Sequence, residues 1–294
     1  MAIPVTVTYI DKAHIVRRVV MSQAALLTRL NELPRIERLL QELLEMVNQE
    51  NVDFNELTKK LSMDQVLTAR LLRMANSVHF GGGKNVATIN DAIIRVGTGA
   101  VRTLVVASVL SSSFPKITTL DMEAYWTETF EVAIISSKLA GEVGLDANEA
   151  FTTGVLHNIG ELMIHTLEPE VALVIKKRVE AGEAPFDVEE ELLQVSCPVL
   201  GAQLARSWKF PEEMADAIEH FNKPSDAKVS IKLATVIHFA REVNSHWDNL
   251  SEDGDKVNFV SQHSDANYLG ISQTFAEKID KVRGNGNERA QQMV

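Results

Sequence analysis

Apolar residues at three- and four-residue steps run through most of this chain, a period that admits helices and little else. Leu33, Ile36, Leu39, Leu40, Leu43, Leu44 and Val47 share one helical face, the stripe a helix buries against a neighbour. Helix starts are written into the next stretch. Asp53 precedes Glu56 and Ser62 precedes Gln65 at capping-box spacing, which satisfies free N–H groups of a first turn. The second start opens a helix carrying Val66, Leu67, Ala69, Leu71, Leu72 and Met74, and Gly81-Gly82-Gly83 breaks the chain after it. Thr88 caps a short helix, Ile89 to Val96, that Gly97 ends.

Further helices are expected at Ala100–Ser112, at Asp121–Val143 before Gly144, and from the capping box Asp146/Glu149 onward. Beyond Pro169 they recur at Val171–Glu180, Asp187–Ser207, Pro211–Phe221 and Val229–Val243. Pro211 is read at a first helical turn, where its missing N–H costs nothing. Strand signals reduce to Ile3, Val5, Val7 and Tyr9 alternating with Pro4, Thr6 and Thr8, a short strand or extended arm. No internal repeat has a fixed period. The fold class expected is all-α.

Charge narrows the function classes. The 294 residues carry a formal net charge of −11, whereas nucleic-acid binders gather lysine and arginine on one face. The basic clusters Arg17-Arg18, Lys59-Lys60 and Lys176-Lys177-Arg178 are small and lack interleaved aromatics, so they read as solvated helix faces rather than a nucleic-acid footprint. One cysteine excludes an intramolecular disulfide and fits a reducing cytoplasm. Basic residues follow the first apolar stretch, the wrong order for a signal peptide, and no apolar run approaches the roughly 18 residues of a membrane span. A cytoplasmic protein is expected, with no membrane and no nucleic-acid partner. Gly97-Thr98-Gly99 lies between helices, and Gly81-Gly82-Gly83-Lys84 lacks the phosphate-loop spacing, so neither reads as a nucleotide loop.

One stretch carries chemistry: Ala150 to Ile164, AFTTGVLHNIGELMI, with His157-Asn158 at its centre. On an uninterrupted helix Phe151, Val155, Asn158 and Leu162 share one face. Thr153, Gly154, His157, Gly160 and Glu161 share the next. The small residues would let a neighbouring helix pass close to His157, between helices where bundles build metal sites. A buried asparagine there acts as a structural pin as readily as a ligand.

This stretch resembles the motif helix of the HD phosphohydrolase superfamily, whose His-Asp doublet holds catalytic metal ions. Asn158 stands at the aspartate position and Glu161 where lysine is usual. The segments LPRIERLLQELLEMV, ARLLRMANSVHFG, INDAIIRVG and SWKFPEEMADAIEH, in that order, are similar to the HDOD domain, the HD-related output domain of bacterial signalling proteins. That resemblance implies a two-lobed helical domain with an HD-like bundle. The organisation it implies is an N-terminal arm over 1–21, the HDOD-like domain over 22–222, a helical extension over 223–283 packing on the bundle, and a polar tail over 284–294.

Carried over position by position, the family's metal ligands fall on Glu128, His157, Asn158, Cys197, His220, Phe221 and, by a looser match, Arg241. Only His157 and His220 keep a family ligand there, and the guanidinium of Arg241 has no lone pair for a metal. It would instead neutralise Glu128 or Glu161. Glu128, His157, Cys197 and His220 are residue types that zinc accepts, so a closed structural site built from those four is the contrary expectation; otherwise no metal and no cofactor are expected. His238 and His246, eight residues apart, are not read as ligands, and the tryptophans Trp126, Trp208 and Trp247 are read as core.

The function that follows from the resemblance is a non-enzymatic regulatory module binding signalling proteins. A small-molecule or nucleotide effector is placed in a cleft between the lobes, floored by the motif helix. The alternatives are a metal-dependent phosphohydrolase acting on nucleotides or cyclic dinucleotides, and a nucleotide sensor that does not hydrolyse.

Overall fold

The computed structural model describes residues 6–11, 14–19, 37–47, 49, 52–77, 80, 85–114, 117–250, 253–284 and 286. Strands β1 (Thr6–Asp11) and β2 (His14–Val19) pair antiparallel, Thr6 opposite Val19 and Asp11 opposite His14. The alternation read at Ile3–Tyr9 therefore belongs to a hairpin whose second strand was not expected; Ile3, Pro4 and Val5 lie outside the described residues, as do Leu33 and Ile36. Every other described element is a helix.

The N-terminal lobe holds α1 (Arg38–Val47), α2 (Phe54–Leu61), α3 (Gln65–Ala75) and α4 (Ile89–Ser113). Asp53 caps α2 as its spacing implied, but α3 is capped by Asp64, two residues beyond Ser62. Leu43, Leu44, Leu57, Leu61, Leu67 and Leu71 are almost wholly buried, each stabilising the lobe by roughly 1.5–3 kcal/mol. Helix α4 is two helices joined at Gly97, where φ of +80° admits glycine without strain. Among the described helices α4 is the one long and apolar enough to cross a membrane; here it is kinked and packs against α1 and α3.

The bundle follows: α5 (Met122–Val143), α6 (Ala147–Leu156), α7 (Ile159–Leu167), α8 (Pro169–Glu180), α9 (Pro185–Leu193), α10 (Cys197–Ser207), α11 (Glu212–His220) and α12 (Ile231–His246). Two expectations change. The segment Asp187–Ser207 is two helices, because Gln194 adopts φ of +57° and turns the chain. Pro211 is the cap residue before α11 rather than its first turn, a one-residue difference of the kind helix ends allow.

A second apolar core lies between α5, α12 and the last helices, α13 (Asp253–Gln262), α14 (Ser264–Leu269) and α15 (Phe275–Asp280). Trp247 is buried in it and donates to the Asp280 carboxylate at 2.8 Å. Trp126 is buried and Trp208 half-buried against the first core.

Two glycines set how tightly the bundle closes. A Cβ on Gly154 of α6 would sit 2.6 Å from the Ala133 Cα of α5. A Cβ on Gly160 of α7 would sit 2.0 Å from the Cys197 carbonyl oxygen of α10. Both contacts are backbone, which cannot swing aside. Gly154→Ala is expected to cost about 1–3 kcal/mol in chemical denaturation. Gly141→Ala, on the exposed face of α5 with nothing within 4 Å, should be neutral or stabilise by up to about 1 kcal/mol. Equal effects at the two positions would show that the close approach is not what Gly154 provides.

Candidate functional site

The motif stretch is not one helix. Helix α6 ends at Leu156, His157 and Asn158 form a turn, and α7 starts at Ile159. The face assignment for an uninterrupted helix therefore fails at the residues it was meant to place. At Asn158 the backbone turns to φ −108°, ψ 14°, and its side chain points into α5 instead of along the α6 face. Asn158 Nδ2 donates to Thr129 Oγ1 at 2.8 Å, and the Thr129 hydroxyl donates to the Tyr125 carbonyl at 2.7 Å. The Tyr125 hydroxyl closes the ring by donating to Asn158 Oδ1 at 3.0 Å. All three side chains are buried, so the amide is a pin between the α6–α7 turn and α5, with both its ends satisfied.

His157 points the other way and is 1% exposed. Its Nδ1 lies 2.6 Å from the Gly154 carbonyl, so Nδ1 carries the proton and Nε2 keeps the lone pair. Nε2 is buried without a hydrogen-bond partner. Burial and the nearby Arg241 charge push the imidazole down to about 3, against the smaller pull of the Gly154 carbonyl. At neutral pH it is an uncharged acceptor.

His157 lines a cavity of about 440 Å³ bordered by α5, α7, α8, α9, α10 and α12. Glu128, His157, Asn158, Cys197, Phe221 and Arg241 all line it, while His220 does not. His220 is turned onto its own helix, with Nδ1 3.0 Å from the Asp216 carbonyl oxygen and 3.2 Å from Oδ1 of that residue. The set Glu128, His157, Cys197 and His220 is consequently not assembled. Among the described residues no group of three histidine, cysteine or acidic side chains could hold a metal ion. With the Asn158 amide consumed and a guanidinium facing the same space, the side chains present do not fit a bound divalent metal.

Arg241 acts on Glu161 through space, lowering its carboxyl, without direct pairing to it or to Glu128. Its guanidinium lies 4.8 Å from the Phe221 ring centroid and 5.6 Å from that of Phe186. No carboxylate among the described residues lies within 4.0 Å of its nitrogens. The phenyl faces supply part of the attraction a counter-ion would, and Phe221 also meets the His157 ring edge-on at 5.5 Å.

The structure adds residues that the sequence reading left out. Glu189 of α9 is buried and accepts from the Cys197 backbone N–H at 2.6 Å. Burial raises its carboxyl to about 8, more than the Cys197 N–H lowers it. Glu161, half-buried on α7, is raised to about 7 by burial and by Glu128, with Arg241 opposing. Burial also pushes the Cys197 thiol and the Tyr125 phenol up. His165 is held near 4 by burial and by Lys176, and its Nδ1 lies 2.7 Å from Thr119 Oγ1. Glu189 sits in the acidic run Glu189-Glu190-Glu191; its one signal was its place beside Val188 and Leu192 on the buried face of α9.

The expected cleft between lobes is a different feature. It is lined by Val52, Phe54, Gly99 and Arg102 on one side and by Asn148, Glu149 and Met214 on the other. The His157 cavity lies wholly within the bundle.

Between about pH 4.5 and 8 the folded state keeps a proton on Glu189 that the unfolded chain releases, so this group's contribution to stability falls as pH rises through that window. Glu189→Gln retains an acceptor for the Cys197 N–H but no charge. It should match the natural protein near pH 5 and melt a few °C above it at pH 8. A melting-temperature gap that stays flat from pH 5 to pH 8 would contradict a buried, protonated Glu189.

Comparison with known proteins agrees with this architecture. The sequence matches the HDOD domain over residues 33–224. It is 39% identical to a protein of Shewanella amazonensis SB2B provisionally named a phosphohydrolase, with a TM-score of 0.82 over 92% of this chain and 98% of that one. An HDOD domain protein of unknown function from Geobacter sulfurreducens is 21% identical, with a TM-score of 0.75 over 92% of this chain and 97% of that one, and supports the fold alone. An uncharacterized protein of Treponema pallidum (strain Nichols) is 26% identical over 223 residues, covering 74% of this chain and 43% of that protein, so the chain spans less than half of that relative's length. An ordered helical match across most of the chain, two lobes of helices and the His157-Asn158 turn converge on one conclusion: the chain belongs to the HDOD domain family.

Proposed function

We propose that this domain is a non-enzymatic regulatory module of bacterial signalling, which binds protein partners in the cytoplasm and takes its input in the His157 cavity. The observation that carries the reading is the state of the His157-Asn158 turn. Hydrolysis of a phosphoester through this turn would need oxygen ligands for a divalent cation, yet the Asn158 amide is locked to Tyr125 and Thr129. Arg241 occupies the same space as a fixed cation. What remains is a cavity of metabolite size with polar groups turned inward, the arrangement of a binding site rather than of metal-assisted catalysis.

The second reading is a phosphohydrolase, favoured by the provisional name of the Shewanella amazonensis relative at 39% identity. Phosphomonoesters, nucleotides and cyclic dinucleotides, incubated with the purified chain and added Mn²⁺ or Fe²⁺, decide between the two. The expected result is no turnover above that of His157→Ala. Turnover abolished by His157→Ala, in a variant that keeps its melting temperature, would establish the enzyme instead.

A further inference from the structure

The charges around the cavity have a property that the regulatory reading does not use. Arg241 stands on α12, Glu161 on α7 and Glu128 on α5, all facing one space of about 440 Å³. Among the described residues, the guanidinium meets no carboxylate within 4.0 Å. Glu161 and Glu128 likewise have no ion pair or side-chain hydrogen bond among those residues. They act on one another through space, Glu128 raising the Glu161 carboxyl and Arg241 lowering it. Opposite charges that line one cavity without touching leave a gap of solvent or ligand between them.

Beside that gap lies the second observation, the unpartnered Nε2 of His157 in a side chain that is 1% exposed. A buried acceptor left unmade is costly, and the side chain that carries it lines the same space. The aromatic wall of Phe186 and Phe221 and the side chain of Ile175 give the cavity an apolar flank.

These groups discriminate among ligand classes. A simple anion such as phosphate would meet Arg241 but also the carboxylates of Glu128 and Glu161 across the cavity, at a cost in like-charge repulsion. A simple cation would suit the carboxylates and be repelled by Arg241. A polymer is excluded by size, since about 440 Å³ is near the small end of the roughly 300–1,000 Å³ typical of small-molecule sites.

We propose that the cavity binds a small zwitterion of the α-amino-acid class, with its carboxylate on Arg241, its ammonium against Glu161 and Glu128, and an N–H on His157 Nε2. The planar fork of arginine matches a carboxylate with two parallel hydrogen bonds. The ligand would then be the input for the regulatory function proposed above, on which this assignment rests.

Calorimetry and thermal melts of the full chain with each proteinogenic α-amino acid test the proposal. Sodium acetate, methylammonium and inorganic phosphate serve as single-charge probes. One amino acid, or a chemically related group of them, should bind and raise the melting temperature. Arg241→Met and Glu161→Gln should each weaken that binding by about tenfold or more, the range for a charge-assisted hydrogen bond. Melts without ligand show whether each variant is folded; Glu161→Gln, which keeps the side-chain shape, carries the test should Arg241→Met fail to fold.

Binding of none of the amino acids overturns the proposal, as does phosphate or acetate binding equally well, or an affinity unchanged in folded variants. Failure to bind in a protein that also hydrolyses no phosphoester removes the ligand class and leaves the regulatory reading standing. Hydrolysis dependent on His157 removes both.

Discussion

The cavity, its histidine and its buried charges all depend on backbone meeting backbone on either side of a two-residue turn. Helices ordinarily pack with axes about 8–10 Å apart, held off by side chains. Gly154 against Ala133 and Gly160 against Cys197 remove that spacer at two points on either side of His157-Asn158. Helix α6 is thereby seated on α5, and α7 on α10, within one turn of each other. The Asn158–Thr129–Tyr125 ring then fixes the rotation of the turn. With Asn158 committed to one side, His157 is left facing the other. Neither glycine touches the cavity, yet between them they decide that it exists.

A space walled by Arg241, Glu161 and Glu189 is an unfavourable place for charge, and the structure moderates that cost in two ways. Arg241 lies against the faces of Phe221 and Phe186, which attract a cation where no carboxylate among the described residues reaches it. The two carboxylates are shifted toward their neutral forms by burial, Glu161 to about 7 and Glu189 to about 8. Near neutral pH the cavity thus holds less negative charge than its residue types imply.

Much of the scaffold was legible in the sequence because its signals are local. Period, capping aspartates and terminal glycines mark α2, α5 and α6, since each depends on neighbours within a few residues. The hairpin strand β2 and the positive φ of Gln194 carried no comparable mark. Within the site, Glu128, His157, Asn158, Cys197, Phe221 and Arg241 line one cavity. Side-chain direction was not legible. His220 keeps its motif position but turns to Asp216, and Asn158 turns to α5 once the helix breaks beneath it. Rotamers answer to partners distant in sequence, and so does the burial of Glu189 within a run that reads as solvent-facing.

Asp216 receives little notice from the sequence, yet it governs where Arg241 can reach. Its buried carboxylate accepts the backbone N–H groups of Lys228, Val229 and Ser230 at 2.8–3.2 Å. Burial raises its carboxyl, but those N–H groups outweigh that effect and hold it below the ordinary value. They belong to the last residues before α12, so α11 grips the root of the helix that carries Arg241. Ten residues on, at 1.5 Å per residue, the guanidinium sits about 15 Å along a rigid lever, and a swing of about 5° at the root moves it by roughly 1 Å. The reach of the cavity's cation is set from outside the cavity, by a hinge-pin that never meets what the cavity holds.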